Sequence, residues 1–180
     1  VLAPGLKPVL FHESPTLAEV VRDINKFSNN VMAEQLFLTL AAHKRGTATP
    51  VAAKEVIEVW WRERIGGEPP MLDKGSGLSR QARISAHDLS RLLQWTWLQP
   101  FMPELMASLP LTGVDGTMKR SKSSASAHLK TGSLRDSMGI AGYVDAPNGQ
   151  RFVLVAMLNH PNANQGRPVM DALIDWTAGR

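Results

Sequence analysis

The sequence predicts an α+β protein: a helical part over residues 1–125, then antiparallel strands and a last helix over residues 126–180, both parts of one domain. Three observations carry this. Apolar residues recur at helical spacing through the first two-thirds of the chain, behind cap-then-Pro starts. The pattern then changes to short strand-like runs. Between two of those runs stands Pro147-Asn148-Gly149, a strong hairpin signal.

Ser14-Pro15 marks the first helix start, a cap residue followed by Pro at the first helical position. Leu17, Val20, Val21 and Ile24 share one face, and the helix should end near Lys26 or Phe27. That leaves Ser28-Asn29-Asn30 in the connection to a second helix, whose apolar stripe is Met32, Leu36, Phe37 and Leu40. Thr49-Pro50 opens a third helix with Ala52, Val56, Val59 and Trp60 inward, and Gly66-Gly67 ends it. After a Pro/Gly-rich loop, Ser85-Ala86-His87-Asp88 reads as a capping box. It opens a helix with Leu89, Leu92, Leu93 and Trp97 inward, stopped by Pro100.

Ser126 to Leu134 is a strand with Lys130 near its middle, and Met138 to Val144 is a second, with glycines that let another backbone lie close. From Arg151 to Leu158 the residues after the arginine are apolar at successive positions. Such a strand is buried on both faces, so helices should cover both sides of the sheet. Pro168 starts the final helix, with Val169, Leu173 and Ile174 inward and Trp176 a further candidate. Three strands are few for a sheet buried on both faces, and Ser126 to Leu134 should have an unpaired edge. The pattern fits a fold of which part is missing.

Composition narrows the function classes. At 180 residues, 43% hydrophobic and 20% charged, the chain is globular rather than disordered. The net charge of +4 and pI near 9.7 come from scattered pairs such as Lys44-Arg45 and Lys119-Arg120, with little aromatic interleaving, so no nucleic acid is expected. A positive surface of this kind also suits an anionic polymer such as a bacterial cell wall. The longest apolar run, Phe152 to Leu158, is too short to span a bilayer. Val1 is not an initiator Met and no signal pattern follows it, which fits a processed or truncated chain. Without cysteine there is no disulfide and no thiolate metal site, and the five histidines lack zinc spacing. No Gly-x-Ser-x-Gly occurs, so an α/β-hydrolase elbow is unsupported.

Two short clusters remain, Ser28-Asn29-Asn30 and Lys130-Thr131-Gly132-Ser133. Each is weak alone. Ser-x-Asn arises by chance in roughly every second or third chain of this length, and Lys-Thr-Gly in roughly one of twenty-five. Structurally, Ser28 and Asn30 read as an inter-helix turn and cap, and Lys130 as a solvated strand residue. The second reading is chemical. Ser-x-x-Lys, Ser-x-Asn and Lys-Thr-Gly together mark penicillin-interacting serine acyltransferases. Here the last two parts stand in order, 130 − 28 = 102 positions apart, and Ser-x-x-Lys is absent.

Longer stretches extend the likeness. Ser28-Asn29-Asn30-Val31-Met32-Ala33-Glu34, Asp73 to Arg80 (with Gly-Ser-Gly-Leu-Ser-Arg), Leu109 to Thr117 and His128 to Leu134 resemble, in order, stretches of one group. These are the low-molecular-mass class C penicillin-binding proteins, the D-alanyl-D-alanine carboxypeptidase/endopeptidases of peptidase family S13. The likeness runs from about Ser14 to Trp176. Ser76 reads either as a tight turn or as a family loop near the site.

The resemblance implies a serine β-lactamase/penicillin-binding-protein-like fold, incomplete in this chain, with a helical subdomain beside a helix-covered antiparallel sheet. Upstream strands and the nucleophile would lie on a companion N-terminal segment, and this segment alone would be inactive. It implies catalytic roles for Ser28, Asn30 and Lys130 and substrate binding by Thr131, Gly132 and Ser133. Lys130 and Thr131 would hold the carboxylate of a D-Ala-D-Ala peptide, Gly132 would let the peptide lie flat, and the Ser133 N–H would form half of an oxyanion hole. Ser28 would relay a proton to the leaving amine, and Asn30 would hold a substrate carbonyl and brace the missing lysine. His128 should share Lys130's face, as a plain strand residue or a part of the site. No metal or organic cofactor is implied. The implied partners are peptidoglycan peptides and β-lactams, in the bacterial periplasm or outside the cell, with homo-oligomers left open. A non-catalytic binder of wall peptides or partner proteins, or a β-lactamase-like hydrolase, remains the alternative.

Overall fold

Leu17–Phe27 is the first helix (α1) in the computed structural model, which describes residues 5, 7 and 9–180. It starts later than Ser14-Pro15 suggests. Thr16 is the cap: its hydroxyl accepts from the Glu19 N–H, and the Glu19 carboxylate accepts from the Thr16 N–H at 2.8 Å. That reciprocal pair satisfies two end donors, which Ser14 does not do.

The second helix, α2 (Asn30–Arg45), begins sooner than expected, because Asn29 caps it by accepting from the Met32 N–H at 3.1 Å. The connection is therefore Ser28-Asn29, and Asn30 is already helical. Helix α2 packs on α3 (Pro50–Arg64) through Phe37 and Ala41 against Ala52 and Ala53. The buried residues of α3 are Ala52, as expected, with Ala53 and Trp61, and Ile57 is partly buried beside them; Val59 faces outward, as Leu40 does on α2. Helix α4 (Ala86–Trp97) is capped by Ser85, but the Asp88 carboxylate accepts from the Ser85 hydroxyl instead of closing a full box. A further helix, α5 (Met102–Ser108), was not foreseen. At 7 residues, without a side-chain cap, it carries no readable period.

The sheet is β1 (Ala127–Leu134), β2 (Ser137–Asp145) and β3 (Arg151–Asn159), antiparallel and in that order. The turn at Pro147-Asn148-Gly149 is closed by the Ala146 N–H donating to Gln150 O at 2.8 Å. Gly142 lies opposite Leu129, and a Cβ there would sit 2.1 Å from the His128 carbonyl oxygen, so the strand approach requires glycine.

Both faces of the sheet are covered, as the β3 pattern implied. On one face Met170 and Ile174 of α6 (Arg167–Ala178) pack against Leu129, Ile140 and Leu154. On the other, Leu93, Met102 and Leu109 surround Tyr143 beside Val153 and Val155. The Tyr143 hydroxyl donates to Leu93 O at 2.7 Å and pairs with the Thr96 hydroxyl at 2.8 Å, so the buried phenol is satisfied. Val169 and Trp176 face out from α6, and Trp97 lies partly exposed on the Tyr143 ring. On α2 and α6 the residue next along takes the buried place: Ala41 after Leu40, Met170 after Val169 and Thr177 after Trp176.

Candidate active site

Ser28 sits between two helices that leave it almost no chain. Its φ of 51° and ψ of 48° make it the one non-glycine residue with positive φ among the described residues. Its N–H closes the end of α1 on Ile24 O, and the next residue already caps α2. Left-handed serine is uncommon and costs about 1–2 kcal/mol. What it gains is a hydroxyl held at a fixed corner.

Lys130, on β1, meets that corner. Its Nζ donates to Ser28 Oγ at 2.5 Å and to Thr131 O at 2.9 Å. No carboxylate pairs with it among the described residues. Burial pushes the Lys130 ammonium's pKa down, because the charged form loses hydration without a counter-ion. The Thr131 hydroxyl donates to Thr117 Oγ1 at 2.7 Å. Thr117 lies on a 3-10 turn, Gly116–Met118, seated on the end of α1: a Cβ on Gly116 would be 2.5 Å from Lys26 O. Lys26 fixes this seat by donating to Leu109 O and Asp115 Oδ2, both at 2.6 Å, while Asp115 Oδ1 accepts from the Leu111 N–H. Burial would raise the Asp115 carboxyl, but the bonds from Lys26 and Leu111 outweigh it and hold its pKa below the ordinary range.

The outer edge of β1 changes partner along its length. Leu129 N–H donates to Pro110 O, and Ala127 O accepts from Thr112 N–H. Main-chain groups alternate sides along a strand, so Thr131 and Ser133 point the same way as Ala127 and Leu129. Beyond residue 129 that edge has no strand partner among the described residues. Gly132 and Ser133 are exposed there.

Asn30, exposed at the start of α2, orients its carboxamide nitrogen toward two carbonyls, Ser76 O at 2.8 Å and Ser28 O at 3.3 Å. It thereby ties the 73–80 loop beside Ser28. Glu34 does the same by accepting from the Gly75 N–H at 2.9 Å. Gly75 has no room for a side chain, since a Cβ would lie 2.2 Å from that of Phe37. His128 is half-buried, and its Nδ1–H donates to Met106 O at 3.1 Å; burial lowers its pKa. The fold thus gathers Ser28, Lys130 and Thr131, keeps Asn30 at their side, and extends Gly132 and Ser133 along the open edge. Sequence reasoning assigned no role to Thr117, Asp115 or Lys26. Thr117 and Asp115 stand inside the Leu109 to Thr117 stretch, but only the folded turn brings them to Thr131.

The sequence pattern of the D-Ala-D-Ala carboxypeptidase 3 (S13) family matches residues 4–180. The chain belongs to that family. It is similar to D-alanyl-D-alanine carboxypeptidase DacB of Haemophilus influenzae, 27% identical over 156 residues, and to an Actinomadura D-alanyl-D-alanine carboxypeptidase, 30% identical over 152. The aligned parts are 82% and 77% of this chain but 33% and 28% of those proteins, so the chain spans about a third of the length of these relatives. Penicillin binding protein 4 of H. influenzae, solved in complex with a β-lactam, superposes with a TM-score of 0.74 at 23% identity, over 87% of this chain and 41% of its own. The S13 chain therefore has a penicillin-binding-protein-like fold with an open three-stranded sheet. No helix among the described residues is long and apolar enough to cross a membrane.

Proposed function

We propose that this chain provides the substrate-binding half of a serine-type D-Ala-D-Ala carboxypeptidase/endopeptidase site acting on peptidoglycan in the periplasm or outside the cell. The nucleophilic serine and its lysine, in a Ser-x-x-Lys, belong to a companion N-terminal segment, which also adds strands to the sheet. The two parts of the chain, 1–125 and 126–180, form one domain with the cleft between them. The observation that carries this reading is the Lys130 ammonium on the Ser28 hydroxyl, with no carboxylate among the described residues to neutralise it.

The chemistry follows from charge. A cation held at a pocket without its own counter-ion attracts an anion, and the carboxylate of a terminal D-alanine fits, with the Thr131 hydroxyl as second donor once its bond with Thr117 reverses and the Thr117 hydroxyl donates instead. The peptide lies along the open edge of β1 as an added strand. Its scissile carbonyl then faces the Ser133 N–H, half of an oxyanion hole whose other half is the nucleophile's own N–H. The nucleophile's oxygen bonds to the carbonyl carbon, the C–N bond breaks, and the nucleophile's proton passes to the leaving amine. Ser28, hydrogen-bonded to Lys130, is the relay for that proton. Water then cleaves the ester, returning a proton to the serine and releasing the shortened peptide.

A fluorescent penicillin tests this reading in denaturing electrophoresis. The full-length protein should carry lasting label, located outside these 180 residues. Lack of label on the full-length protein would indicate a non-catalytic binder, and fast penicillin turnover without an adduct a β-lactamase-like hydrolase.

A further inference from the structure

Beyond Thr131 the surface opens into a cavity of about 470 Å3. Phe27, the residue before Ser28, and Val114 give it an apolar wall, and they are 71% and 58% exposed. Thr117 and Lys119 form its other side. Lys26 and Asp115 also line it, but they neutralise each other in an ion pair, and Lys26 donates to Leu109 O as well, which leaves Lys119 as the unpaired charge of the lining. Lys119 makes no ion pair among the described residues, and the exposed Arg120 and Lys122 lie close behind it. The cavity meets the site at Thr117, whose hydroxyl accepts from Thr131.

Direction decides what can enter. With a scissile carbonyl at Ser133 N–H and a carboxylate at Lys130 and Thr131, the acyl part of a peptide runs away from Thr117 and the leaving part runs toward it. A leaving D-alanine stops at Thr131, because its side chain is one methyl. A leaving residue with a longer side chain reaches past Thr131 into the cavity. Phe27 and Val114 would take its methylene stem, and Lys119 a carboxylate at its far end.

We propose that this cavity is a leaving-side subsite for long, carboxylate-bearing amines, and that Lys119 sets its specificity. The protein containing this chain therefore cleaves cross-links between wall peptides more efficiently than the cavity-free part of the site would allow. This rests on the function proposed above.

The test uses the full-length protein and its Lys119→Ala and Lys119→Glu variants. Three rates are measured: kcat/KM for a D,D-cross-linked peptide dimer, kcat/KM for a free peptide ending in D-Ala-D-Ala, and penicillin acylation. Lys119→Ala should slow dimer cleavage about tenfold and Lys119→Glu further, with the other two rates within about twofold. The subsite is overturned if dimer and free peptide slow together, or if neither changes while penicillin still acylates. Failure of the unmodified protein to react with penicillin would instead overturn the function itself.

Discussion

The ammonium of Lys130 donates to the hydroxyl of Ser28, which stands 102 positions earlier in the chain. Two local devices make that contact. A two-residue joint between α1 and α2 leaves Ser28 in a left-handed conformation, and the open edge of β1 brings Lys130 to it. The lysine is buried enough for its pKa to fall, yet no carboxylate among the described residues pairs with it. A charge kept in that state costs stability, so it is placed where an anionic ligand would relieve the cost.

Lys130→Met should separate function from stability. Loss of a charge-assisted bond of about 1.5–3 kcal/mol lowers the penicillin acylation rate of the full-length protein by about 10- to 150-fold. The thermal midpoint should stay level or rise. Stopped-flow acylation and calorimetry read the two effects. A large fall in midpoint would mean that Lys130 holds the fold rather than the ligand.

The pH dependence of that difference has a definite sign. The folded-state pKa of Lys130 lies below its ordinary value of 10.5, so the unfolded chain binds the extra proton between the two values. Stability therefore rises with pH across that window. The advantage of Lys130→Met over the natural chain should be greatest below the lowered pKa and fade as pH climbs toward 10.5. Denaturant titrations at neutral and alkaline pH measure it; an advantage that grows with pH contradicts the burial argument.

Ser28 offers a second separation. Ser28→Ala and Ser28→Gly both remove the hydroxyl, and both should reduce acylation. Only glycine adopts the left-handed conformation without a Cβ penalty, so Ser28→Gly should be more stable than Ser28→Ala by about 1 kcal/mol. Equal stabilities would show that the 28–29 joint relaxes on substitution.

Asp115 positions Thr117 through the turn it anchors. Its carboxylate is partly exposed, so solvent screening holds the loss in Asp115→Asn to about 0.5–1 kcal/mol. The pKa of Asp115 is depressed in the folded state, so its stabilisation is present above the unfolded pKa and disappears as pH falls through the folded one. The gap between natural and Asp115→Asn chains should accordingly close on acidification. Thermal unfolding at pH values from neutral down to the acid limb checks this; a gap that persists would remove the Lys26–Asp115 pair from the account.

Much of the architecture was readable in residue patterns, because burial on both faces writes a distinctive run. In β3, Leu154, Ala156 and Leu158 go to one core while Val153 and Val155 go to the other. Helix faces were less readable. Apolar neighbours such as Val59, Trp60 and Trp61 compete for one stripe, and the partner helix decides which turns inward. Helix ends moved for a similar reason: Thr16 and Asn29 cap where Ser14 or a longer loop was expected, since a cap is chosen by which side chain reaches an end donor. No periodicity could have paired Ser28 with Lys130. Only the likeness of two motifs to a family suggested it. The Asp115–Lys26 anchor, the Thr131–Thr117 bond and the Asn30–Ser76 contact depend on loop folding, and nothing in their spacing announces them.

The most direct measurement is mass-spectrometric mapping of the penicillin adduct on the full-length protein, run beside its Lys130→Met variant. One adduct is expected, on the serine of a Ser-x-x-Lys outside these 180 residues, formed much more slowly without Lys130. An adduct on a serine of this chain, or one formed at an unchanged rate in the variant, would contradict that expectation.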